Sequence, residues 1–308
     1  MTLDRDNIYP STVMLVGEYG GVLGGSTITI PLNNFHVRVR KTANIPTGLE
    51  KEASQSMKSL KELYHYVGHL PAGTFHALPD LELLSNNMEH YWLEITIPNG
   101  NGLGSSGAVS AAIYDLFFPE AGSVTPLQQK EDLAAIESFF HGKSSGVDAL
   151  TSYLGTPLYV KEDGSIVKVD LNPAQLPFGY RFFLLDSGKR FDTGPQIKQF
   201  LVQMEDSGFA SSVRHEYMVV NQKLIESLLG ERDVDPGLLV RVLSDFQFTH
   251  FREMIPSNLV DLWIEGQISN EYYLKLNGPG GGFLLGITHH TSVQKLTDRW
   301  KKDLIWIS

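Results

Sequence analysis

The 308-residue chain has no cysteine at all. That absence excludes disulfides, thiolate metal ligands and a cysteine nucleophile, and it agrees with a reducing, cytoplasmic setting. Long apolar runs are missing too: none approaches the roughly 20 residues that a membrane helix needs. The opening MTLDRDNIYP carries two aspartates and no apolar stretch, so no secretory signal is expected. Basic charge is scarce. Lys and Arg number 25 against 35 Asp and Glu, for a net charge of -10, the wrong sign for a face that grips nucleic acid. The local cluster RWKK at 299–302 is therefore read as solvated surface. No internal repeat or low-complexity tract is visible. These absences leave a soluble protein whose partner is neither membrane nor nucleic acid.

Core-forming material is ample. Hydrophobic residues make up 42% of the chain, and the length suits two ordinary domains. Strand-like stretches open the sequence at 11–17, at 26–32 and in the alternating FHVRVRK at 35–41. Residues 49–67 read as an amphipathic helix, HYWLEITIP as a strand, 105–117 and 127–140 as helices, and 157–171 as a hairpin turning at Asp163-Gly164. After Pro173 and Pro177 a strand at 181–188 leads into helices near 194–206, 209–229, 235–249 and 256–266. Strands return at 272–278 and 281–288, and the chain closes on DLIWIS. A strand-rich first half and a helix-rich second half with a late sheet define an α+β chain. The expected domains are residues 1–175 and 176–308.

One stretch carries chemistry. PNGNGLGSSGA, 98–108, packs four glycines and two serines between a strand and an apolar helix. Gly100, Gly102, Gly104 and Gly107 let backbone N–H groups approach a ligand closely. The helix that follows offers unpaired N–H groups and partial positive charge, a combination that stabilises phosphate. The lysine of the G-x-x-x-x-G-K-S/T phosphate loop is absent. Ser106 can supply a hydroxyl oxygen to Mg²⁺, which takes oxygen ligands and retains water. On this stretch alone a plain Gly/Ser turn, with Ser105 or Ser106 as helix N-cap, remains open.

The loop resembles the second motif of the GHMP kinase superfamily, the galactokinase, homoserine, mevalonate and phosphomevalonate kinases. GEYGGVLGG at 17–25 is similar to the first motif, and KLNGPGGGFLLGIT at 275–288 to the third. Three ordered motifs across nearly the whole chain make the resemblance specific. Within the superfamily the chain is closest to mevalonate kinases. Its residues 137–148 match their E-x-x-x-H-G-x-x-S-G-x-D pattern through Glu137, His141, Gly142, Ser145, Gly146 and Asp148.

The resemblance implies a two-domain fold, an N-terminal ribosomal-protein-S5-like α/β domain and a C-terminal ferredoxin-like α+β domain, with the active site in the cleft between them. It implies ATP and Mg²⁺ as cofactors and a small carboxylate-bearing alcohol, mevalonate first, as acceptor; a homodimer is left open. Pro98, Gly100, Gly102, Leu103, Gly104, Ser105 and Ser106 would bind the nucleotide, and Gly278, Gly280, Gly281 and Gly282 would form the third-motif turn. Ser106 and Glu137 would hold Mg²⁺, and Asp148 would be the catalytic carboxylate. Glu18, Tyr19, Lys189 and Thr193 would line the acceptor site. His141 reads as a helix C-cap residue, and Asp148 could cap the helix that follows it.

The chain departs from the family at one informative place. Mevalonate kinases have a lysine just before the first-motif strand, where YPSTVML has Thr12. A threonine donates a hydrogen bond but brings no charge, and a well-placed cation is worth several kcal/mol to a transition state. Lys143 could replace that charge, or Lys189 or Arg190 could. Otherwise the chain is a nucleotide-binding pseudokinase. Phosphomevalonate or another small alcohol is the alternative acceptor, because GEY at 17–19 departs from the commonest mevalonate kinase pattern.

Overall fold

A computed structural model describes residues 7–308 apart from 88, 99, 101, 191–192 and 279–281. The chain forms two compact units with mixed helix and sheet, a two-domain α+β fold. One unit comprises residues 1–12, 31–98 and 103–156; the other comprises 13–30, 99–102 and 157–308. Two early segments therefore join the later unit, a division that no linker composition announces.

The chain begins with strands β1 (Ile8–Val16) and β2 (Thr27–Lys41). Sequence reading splits β2 in two at Asn33-Asn34, but it is one 15-residue strand. Helices α1 (Glu50–His69) and α2 (Leu81–Asn87) follow, then strand β3 (Tyr91–Ile95). In the first unit, β3 pairs antiparallel with residues 37–41 of β2. α1 buries Ala53, Leu60, Leu63 and Val67 on one face, the i, i+3, i+4 spacing of an amphipathic helix.

Helices α3 (Ser105–Phe117), α4 (Pro126–His141) and α5 (Val147–Leu154) complete this unit. α3 is apolar nearly all round and buried from Gly107 to Tyr114, as expected of a core helix. α4 starts on a capping box: the Thr125 hydroxyl accepts from the Gln128 N–H, the Gln128 side chain accepts from the Thr125 N–H, and Pro126 takes the first helical position.

The later part of the second unit opens with the hairpin β4 (Leu158–Val160) and β5 (Ile166–Lys168), and β4 pairs antiparallel with residues 27–29 of β2. Next come β6 (Tyr180–Asp186), α6 (Thr193–Gln203) and α7 (Ser207–Ser212). A π-helical turn at Val213–Tyr217 leads into α8 (Met218–Leu228). α9 (Pro236–His250), α10 (Val260–Ser269), β7 (Tyr272–Leu276), β8 (Phe283–His289), α11 (Val293–Trp300) and β9 (Leu304–Trp306) end the chain. The sheet here is antiparallel in the order β7-β8-β6-β9. Its strands carry buried Phe182, Leu184, Leu274, Leu285 and Ile287; the helices of this unit contribute Phe200, Leu243 and Trp263 to the core, and Phe251 joins them just past the end of α9.

Candidate active site

The glycine loop delivers the chain to the N-terminus of α3. Gly100, Gly102 and Gly104 all have left-handed backbone, with φ of 75°, 70° and 64°. The helix N-cap is Gly104, without a side-chain cap, which corrects the expectation of a serine there. Two contacts explain the glycine. A Cβ at 104 would lie 1.9 Å from the Thr12 hydroxyl, and the Thr12 N–H donates to the Leu103 carbonyl at 3.1 Å. Ser105 is the first residue of the helix and Ser106 the second.

Ser106 uses its hydroxyl elsewhere. It donates to Glu137 Oε1 at 2.8 Å, from α3 to α4. Ser144, in the turn between α4 and α5, donates to Glu137 Oε2 at 2.5 Å. Burial and the nearby charge of Asp148 push the Glu137 carboxyl up to about 7, against the pull of the two serines. Asp148 sits in the first turn of α5, whose N-cap is Gly146, so the structure does not make Asp148 the cap. Instead Asp148 Oδ1 accepts from the Thr12 hydroxyl at 2.8 Å. Gly107 allows this convergence: a Cβ there would stand 2.8 Å from the Ala149 nitrogen. Thr12, which stands at the sequence position of the lysine in the resemblance, thus lies beside Asp148.

Two carboxylates and three hydroxyls are therefore gathered at the start of α3 and α5. The donors are all oxygen, and the described residues contain no group of three or more His, Cys, Asp and Glu that could cage a metal by themselves. That set fits Mg²⁺, which binds through one or two carboxylates and takes its remaining ligands from water and phosphate. Ser106 and Glu137 are the residues suited to hold it. Ser144 is absent from the family pattern as matched in the sequence. The adjacent serines of HGKSSG are the one signal for it, and only geometry separates it from Ser145. Lys143 is exposed in the same turn.

Other expected site residues belong to the second unit. Glu18 and Tyr19 are buried, and both oxygens of the Glu18 carboxylate are taken by protein donors: Lys275 at Oε2, Tyr217 and Gln247 at Oε1. Tyr19 packs in tilted contact with Phe200 and Phe251. Neither side chain reaches a solvent-accessible surface, so the pair lies in the packed interior of this unit. Lys189 is exposed and donates to the Ser257 hydroxyl at 2.9 Å. The Arg190 side chain passes along Gly100, its Cβ 3.4 Å from where a glycine Cβ would be. Thr193 starts α6, and its side chain, like that of His141, lies outside the described set. In the third-motif turn Gly278 has φ of 64° and the Gly282 carbonyl accepts from the Ser187 N–H at 2.9 Å. Gly280 and Gly281 lie outside the described residues. Pro98 and Leu103 flank the loop, half-buried and buried respectively.

The fold is that of the GHMP kinases. It superposes on L. major mevalonate kinase in complex with R-mevalonate with a TM-score of 0.65 at 15% identity, covering 98% of this chain and 94% of that one. S. pneumoniae phosphomevalonate kinase in complex with phosphomevalonate and AMPPNP gives a TM-score of 0.61 at 15% identity, covering 98% and 99%. Lactococcus lactis galactokinase complexed with galactose gives 0.65 at 14%, covering 98% and 92%. No curated protein sequence matches the chain significantly. Residues 70–156, which hold Ser106, Glu137 and Asp148, match the family of GHMP kinases N terminal domains. The family match thus covers the segment that carries these three residues, and the whole chain shares its fold with these kinases. GHMP kinases are ATP-dependent phosphotransferases acting on small alcohols.

Proposed function

We propose that this chain is an ATP-dependent kinase that transfers the γ-phosphoryl group to a hydroxyl of a small carboxylate-bearing acceptor, with mevalonate the first candidate. One observation carries the reading: Asp148 and the hydroxyl-held Glu137 converge at the helix end that follows the glycine loop. Phosphoryl transfer asks a protein mainly for positioning and charge stabilisation, and each part has a residue suited to it. The loop N–H groups and the N-terminus of α3 favour polyphosphate. Mg²⁺ held by Ser106 and Glu137 would neutralise charge on the phosphate oxygens.

Asp148 orients the acceptor hydroxyl and takes its proton as the new P–O bond forms. Thr12 holds the Asp148 carboxylate by donating to Oδ1, which orients the base without adding charge. An oriented Asp148 and a hydroxyl-held Glu137 favour an active enzyme over a pseudokinase. ADP release from ATP and Mg²⁺, measured over mevalonate, phosphomevalonate, homoserine and galactose, tests the reading. Turnover with mevalonate supports it; turnover with another member of the panel alone reassigns the acceptor. Nucleotide binding without turnover of any member would overturn it.

A further inference from the structure

The second unit contains an ion pair that the proposed chemistry does not use. Lys275 Nζ lies 2.8 Å from Glu18 Oε2, and both side chains are 0% exposed. The other carboxylate oxygen accepts from the Tyr217 hydroxyl at 2.8 Å and from the Gln247 amide. The π-helical turn at 213–217 ends on Tyr217; such turns recur at functional sites. Desolvating two charges is costly, and apolar replacements of similar size are often no less stable. Stability alone is a weak account of such a pair.

Its further hydrogen bonds show what it holds. Lys275 Nζ donates to the Leu276 carbonyl at 3.1 Å, and the Leu276 N–H donates to Gln247 Oε1 at 2.8 Å. Both main-chain polar groups of Leu276 are thus gripped by side chains of the cluster. β7, which ends at Leu276, is the edge strand of its sheet, where one row of backbone groups lacks a strand partner. The next residue, Asn277, is 1% exposed and donates from Nδ2 to the Gly102 carbonyl at 3.3 Å. A Cβ at Gly102 would stand 3.4 Å from the Asn277 carbonyl oxygen. Within this one unit an unbroken set of contacts runs from Glu18 in the first motif, through Lys275 and Asn277 in the third, to Gly102 in the glycine loop.

We infer that Glu18, Lys275 and Gln247 act as positioning residues for the glycine loop: they fix the peptides on either side of Leu276, and through Asn277 they fix the carbonyl of Gly102. The loop then meets a nucleotide already ordered, and ordering in advance lowers the cost of binding. The inference rests on the reading of this loop as the nucleotide site.

The test is calorimetric binding of a non-hydrolysable ATP analogue with Mg²⁺, together with kcat and KM for ATP, on the full chain. Lys275→Met alone strands the Glu18 charge and is expected to fold poorly. The double variant Glu18→Gln/Lys275→Met removes both charges at similar volume and is expected to fold. It should still bind the analogue about fivefold more weakly, the worth of an ordinary hydrogen bond, with KM for ATP raised to match and kcat within about twofold. Asn277→Ala should give the same loss. Combining the two should add nothing further, because both act through one contact.

Should the double variant fail to fold, wild-type affinity in Asn277→Ala overturns the inference by itself. A folded double variant that binds as tightly as wild type makes the pair purely structural and ends the inference, while the nucleotide reading stands. A wild-type chain that binds no nucleotide ends both.

Discussion

Glu137→Gln isolates the electrostatics of the site. Burial and Asp148 raise the Glu137 carboxyl from 4.5 to about 7. At 1.36 kcal/mol per pH unit, holding it ionised costs the fold about 3 kcal/mol. The folded pKa lies above the unfolded one, so the folded state binds more protons between pH 4.5 and 7. Stability from this group is therefore complete below pH 4.5 and is lost as pH rises through about 7. Glutamine keeps the shape and cannot ionise. In urea melts with EDTA, the metal-free variant and wild type should match near pH 4.5, and the variant should be about 3 kcal/mol more stable at pH 8.5. Other titrating groups are common to both proteins and cancel. Mg²⁺ should narrow the gap at high pH by stabilising wild type alone. Parallel stability profiles from pH 4.5 to 8.5 would refute the reasoning. The same variant should lose Mg²⁺-dependent turnover, the usual conflict between a stable site and a working one.

Other perturbations test single contacts. Thr12→Val keeps the volume but removes the donor to Asp148; it should cost about 2 kcal/mol in urea melts, the range for a hydrogen bond to a charged group, and lower kcat about tenfold through misorientation. Ser144→Ala removes the 2.5 Å donor to Glu137; activity should then need several-fold more Mg²⁺ for half-saturation, and an unchanged Mg²⁺ requirement would release Ser144 from the site. Gly104→Ala forces a side chain onto left-handed backbone 1.9 Å from the Thr12 hydroxyl. It should destabilise the chain by at least about 2 kcal/mol in thermal melts, and a near-neutral effect would contradict the described loop.

Much of this was legible in local patterns. The hydrophobic periodicity of α1 and the Thr125–Gln128 box of α4 identify their helices directly, and the Asp163-Gly164 turn marks its hairpin. Asp148, Glu137 and Ser106 were legible because a spaced motif carries them. The rest depends on contacts between residues far apart in the chain. Glu18 and Lys275 are separated by 257 positions, and nothing near either one announces a buried ion pair. α2 and α11 were missed: α2 is only seven residues long, and α11 buries just Leu296 and Trp300 beside the basic cluster read as surface. The π-helical turn interrupts a run that reads as one uniform helix over 209–229, because an extra residue per turn leaves no mark on composition. Thr12 was legible as a departure, yet only the structure places its hydroxyl on Asp148.

Mass-spectrometric detection of phosphorylated mevalonate, formed from ATP and Mg²⁺ by wild type and by Asp148→Asn, tests the central claim most directly. The account predicts stoichiometric product from wild type. In the variant, kcat should fall by at least about a hundredfold, the scale of general-base catalysis, while nucleotide affinity stays within about twofold. A variant that phosphorylates mevalonate as fast as wild type would contradict it.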